Sequence, residues 1–224
     1  MVLDRMFGRE ADGLEQVERQ LLRMLADDRH SFDLAASALI GGADPDVVGP
    51  ELAETDQRVN VAEQEIRRQL VVHASVQQAV DIPTMLVYMS ITKDAERIGD
   101  YAKNVFDLAA AGADFSGAED RDELVALWEE VSSYITEAAE TFSERDEDRA
   151  ATMIAHGDEL CDDFDARIDR LVTSDDPGSE AVPRALLFRH LKRIVAHLMN
   201  LLSAVVMPLD KLDFFDEDHV ERRR

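Results

Sequence analysis

Glu96-Arg97-Ile98-Gly99-Asp100-Tyr101-Ala102-Lys103-Asn104 is one half of an internal repeat. It returns about a hundred residues later as Lys192-Arg193-Ile194-Val195-Ala196-His197-Leu198-Met199-Asn200, with its acids replaced. A second segment behaves the same way: Asp56, Asn60, Glu63 and Ile66 are echoed by Asp158, Asp162, Asp165 and Ile168. Two ordered segments recurring at similar offsets mark a duplication. The repeat is too long, and present in too few copies, for a solenoid. The chain therefore reads as two similar halves.

Working outward, the apolar residues fall at three- and four-residue spacing almost throughout. The pattern predicts helices over about 11–39, 45–79, 83–111, 119–142, 147–173 and 180–206. Gly41-Gly42-Ala43-Asp44-Pro45, Asp81-Ile82-Pro83, Gly112 to Gly117 and Ser174 to Ser179 punctuate them, and Pro208 discourages the last from continuing. Short links place successive helices side by side. The expected fold is all-α: six main helices as two tandem antiparallel three-helix bundles related by a pseudo-twofold axis. The halves are expected at 1–112 and 113–209, followed by a tail, 210–224, ordered in part.

Composition narrows the function. The formal net charge is −24, which opposes direct contact with nucleic acid and docking on an anionic bilayer through a basic patch. Lysine occurs only at Lys93, Lys103, Lys192 and Lys211. So acidic a balance resembles that of a protein from a high-salt cytoplasm. The single cysteine, Cys161, cannot form an intrachain disulfide and is expected to be a buried, inert thiol. Met1 to Phe7 carries no sustained apolar run, and none long enough to cross a bilayer occurs elsewhere. A cytoplasmic protein is expected.

The candidate chemistry is carboxylate. Glu96, Asp100 and Asn104 lie at i, i+4 and i+8 of the third helix; Asp56, Asn60 and Glu63 lie at i, i+4 and i+7 of the second. These faces can meet, and converging carboxylates repel unless arginines or a cation intervene. Arg58, Arg67, Arg68 and Arg97 are available for the first remedy. For the second, all-oxygen ligation suits Mg, Mn, Ca or iron. No Glu-x-x-His pair and no zinc-spaced Cys/His cluster occurs. His73 and His197 sit in apolar helical stretches and read as satisfied core residues. No phosphate loop or nucleophile elbow is present, so an enzyme is not expected.

Glu-Arg-Ile-Gly-Asp-x-Ala-x-Asn, late in the third helix of a duplicated three-helix unit, resembles the signature of the PhoU family, regulators that accompany the high-affinity phosphate ABC transporter. The resemblance covers approximately residues 11–207 and has a haloarchaeal flavour. It implies a non-enzymatic negative regulator of phosphate uptake and starvation signalling, acting through the transporter's ATPase subunit and, where one exists, a sensor histidine kinase. A long helical body with few surface apolar residues also permits a homodimer. The resemblance implies a metal site, with Fe, Mn, Mg or Zn in family members, at Glu96 and Asp100 with Asp56 in support, flanked by Asn60, Glu63 and Asn104. The second-repeat site is expected to be degenerate at Lys192 and Ala196, with Lys192 paired to Asp158 or Asp162. The alternatives are a carboxylate-bundle iron protein, a transcription factor, which the charge opposes, and a PhoU-like accessory regulator of another ion transporter.

Overall fold

The computed structural model describes residues 12–76 and 82–212. Six helices fill them: α1 (Asp12–Leu39), α2 (Pro45–Val76), α3 (Ile82–Ala110), α4 (Arg121–Glu144), α5 (Glu147–Val172) and α6 (Gly178–Val206). A 3-10 turn, Leu209–Lys211, follows. Where both fall on described residues, the predicted and observed boundaries agree to within about two residues, the ordinary fraying of helix ends; residue 11 of the first expected helix and residues 77–79 of the second lie outside the described residues. Of the expected tail, residues from 213 onward lie outside the described residues, while Leu212 is buried.

Local chemistry sets the ends. After α1 the chain reverses at Gly42, whose φ of 75° is open to glycine. Asp44 then accepts the Asp46 amide ahead of the first turn of α2. Gly112, at φ 98°, closes α3, and the link to α4 is tied down by Phe115 N–H donating to the Leu39 carbonyl at 2.8 Å. Asp146 caps α5 by accepting the Arg149 amide at 2.9 Å. Satisfying otherwise orphaned amides in this way is worth about 1 kcal/mol.

In the first bundle α1 packs against both α2 and α3; in the second α6 packs against α5 and α4. Between bundles, corresponding members meet, α3 on α6 and α1 on α4. A twofold-related pair of repeats gives this arrangement. The apolar stripe of each helix supplies the core: Leu21, Leu25 and Phe32 of α1, Ile66 of α2, Ile91 and Ile98 of α3, Leu124 and Ile135 of α4, Phe164 of α5 and Ile194 of α6 are at most 2% exposed. Each such side chain contributes about 1.5–3 kcal/mol by leaving water. A charged residue at Phe32 would break the first bundle.

The seam between bundles is partly polar. His197 of α6 sits 2.8 Å from Asp94 of α3, and Asn200 donates to the same oxygen at 2.9 Å. Arg193 reaches both His197 and the Tyr101 hydroxyl at 3.2 Å, and Tyr101 stacks on His197. His197 is thus a satisfied, buried histidine, as its surroundings in the sequence suggest. Elsewhere Glu18 of α1 accepts from Tyr88 of α3 at 2.8 Å and from Arg145, in the α4–α5 link, at 2.5 Å.

Candidate functional site: an acidic face on the first bundle

The α2 and α3 faces do meet. Lys103 of α3 donates to Asp56 of α2 at 3.1 Å, and Asn60 donates to Asp56 at 3.2 Å. Glu63 of α2 lies 3.7 Å from Lys93 of α3 and 2.8 Å from Arg67. These are charge contacts not aligned as hydrogen bonds. Along α3, Glu96 holds Lys93 at 2.5 Å, and Asp100 holds Arg97 at 3.0 Å and Lys103 at 3.8 Å. Asn104 is half-buried on the same helix. The helical register explains the ladder: residues at i, i+3, i+4 and i+7 share a face, so α3 interleaves its own cations with its acids.

The residue that sequence reasoning missed lies beneath this face. Asp28 of α1 is fully buried, and neither of its carboxylate oxygens has a hydrogen-bond partner. Burial first, then the charges of Asp27, Glu96, Asp100 and Asp56, pushes its carboxyl well above the usual carboxylate range. Its Oδ1 fits where Gly99 has no side chain; a Cβ there would stand 2.6 Å from that oxygen. Glycine in the repeated segment therefore makes room for an acid from another helix. A signal was available, because Leu21, Leu25, Asp28 and Phe32 run at the spacing of the α1 core stripe, on which a carboxylate is out of place.

Charge around the pocket nearly balances. Asp28, Asp56, Glu63, Glu96 and Asp100 face Arg67, Lys93, Arg97 and Lys103, and the shortfall falls on Asp28. Burial alone would lower the Lys103 ammonium's affinity for its proton, but Asp56, Asp100 and Asp107 carry it above the usual value. The expected arginine remedy is realised by different residues: Arg67 and Arg97 take part, Arg58 instead holds Asp27 at 2.8 Å, and Arg68 holds Glu65. Lysines supply the rest.

An all-oxygen donor set with an orphaned buried carboxylate fits a hard cation in its chemistry. As the side chains lie, however, no three His, Cys, Asp or Glu among the described residues close on one point. Ammonium groups hold the outer acids.

In the second repeat Lys192 and Ala196 replace the acids. Lys192 Nζ contacts Asp165 Oδ2 at 2.5 Å, so the short contact falls on Asp165, next along the α5 face from the expected Asp158 and Asp162. A lysine carries its own charge across the helix gap and reaches whichever carboxylate its stem aligns with. Cys161 is partly rather than fully buried; burial pushes its thiol up to about 11.

Comparison with known proteins places these observations in a family context. Residues 21–109 match the PhoU domain model. A phosphate-specific transport system accessory protein PhoU homolog from Synechocystis sp. is 27% identical over 198 residues, covering 86% of this chain and 87% of its own. Among solved structures, PhoU from Pseudomonas aeruginosa is 25% identical with a TM-score of 0.74, covering 86% of this chain and 95% of its own. The phosphate transport system regulatory protein PhoU from Streptococcus pneumoniae, 17% identical, shares the fold with a TM-score of 0.70, covering 86% and 92%. No helix among the described residues is long and apolar enough to cross a membrane.

Proposed function

We propose, from the premise that this chain belongs to the PhoU family, that it is a non-catalytic regulator of phosphate uptake. It acts by docking on the ATPase subunit of a phosphate ABC transporter and, where one exists, on a sensor histidine kinase, in the cytoplasm. The observation that carries this reading is the PhoU domain match over residues 21–109, which encloses Glu96 to Asn104. The packed six-helix body supports it physically, since rigid helical faces dock without a large ordering cost. Deleting the gene should raise phosphate uptake in phosphate-replete cells, and tagged protein should recover the transporter ATPase. Unchanged uptake together with no transporter component recovered would refute it.

A cation site on the first bundle accompanies this role, favoured by the orphaned carboxylate of Asp28. Glu96, Asp100 and Asp56 would hold the ion, flanked by Asn60, Glu63 and Asn104. A divalent cation there would offset the mutual repulsion of the acids and tie α2 to α3. The neutralised second repeat, with Lys192 on Asp165, offers no counterpart.

A further inference from the structure

Resting on that cation reading, we infer that Asp28 is the inner ligand of the site, delivered from α1 through the gap left by Gly99. Every other acid around the pocket meets a cationic group: Asp27 meets Arg58, Asp56 and Asp100 meet Lys103, and Glu63 and Glu96 meet Lys93. Asp28 meets none and is sealed from water. A hard cation shared with the outer carboxylates would give the buried carboxylate the positive partner it lacks.

The Lys93 and Lys103 side chains are 40% and 39% exposed, so their ammonium groups can swing into solvent while an ion takes their place against Glu96, Asp100 and Asp56. Asp28 would then fix the ion's depth, one helix further in than the sequence-derived ligand set reaches.

The test titrates the full chain with MnCl2, following free Mn2+ by electron paramagnetic resonance and melting by scanning fluorimetry. Wild type is compared with Asp28→Asn and with Glu96→Gln/Asp100→Asn. Wild type should take up Mn2+ and melt higher with it. Asp28→Asn should bind at least about tenfold more weakly, as expected when a ligand is lost, and melt no lower than wild type without metal. If Asp28→Asn binds like wild type while the double variant does not, the inference falls and the outer site stands. If wild type takes up no Mn2+, both fall. If Asp28→Asn fails to fold, Asp28 is a structural group and the inference is overturned.

Discussion

Gly99→Ala offers a sharp test of how α1 and α3 approach each other. The new Cβ would stand 2.6 Å from Asp28 Oδ1, with Val59 Cγ1 at an ordinary 3.7 Å. Asp28 is fully buried and short, so it cannot retreat freely. Overpacking of this kind costs about 2 kcal/mol, within a usual range of about 1–3. Alanine in place of glycine inside a helix returns about 1 kcal/mol. Wild type should therefore lose about 1 kcal/mol, or about 3 °C in melting temperature for a chain of this size. In an Asp28→Ala background the clash disappears and the same substitution should stabilise by about 1 kcal/mol, a coupling of about 2 kcal/mol. Urea midpoints at constant slope measure the four corners of the cycle. An identical effect of Gly99→Ala in both backgrounds would refute the close approach.

Asp94→Ala should destabilise by about 3 kcal/mol in urea unfolding, because it strips the shared acceptor from buried His197 and Asn200; a loss below about 1 kcal/mol would mean that the seam is wet. His190 has its pKa lowered from 6.5 by burial and then by Arg189, with Asp107 opposing. The unfolded state thus binds its proton first, and stability is lost as pH falls from 6.5 through the lower folded value. His190→Gln should flatten that acid limb relative to wild type, and an unchanged limb would sink the assignment. With its thiol pushed up to about 11, Cys161 should react with Ellman's reagent at pH 8 about a hundredfold more slowly than free cysteine. Labelling at the rate of glutathione would contradict that burial.

The helices were legible because their signals are local: apolar spacing, glycine stops and aspartate starts all lie within a few residues of the boundary they set. The acidic faces of α2 and α3 were legible for the same reason, as register alone aligns Asp56 with Glu63 and Glu96 with Asp100. Contributions from elsewhere in the fold were harder to read. Asp28 sits between Asp27 and Arg29 and resembles a solvated run until α3 is seen to cross it at Gly99. The pairing of Lys192 with Asp165 depended on how far the lysine stem reaches along α5, which spacing does not encode. Lys93 and Lys103 as the partners of the acids required the rotamers themselves.

Arg145 is the only non-glycine residue among those described with a positive φ, at 54°. Glycine would relieve that conformation, which costs a side-chain-bearing residue roughly 1 kcal/mol. It would also delete the guanidinium that reaches back to Glu18. Improving the backbone at this corner thus means giving up one of the ties between the later repeat and the earlier one, so selection for a rigid relation between the halves and selection for local comfort pull in opposite directions at a single residue.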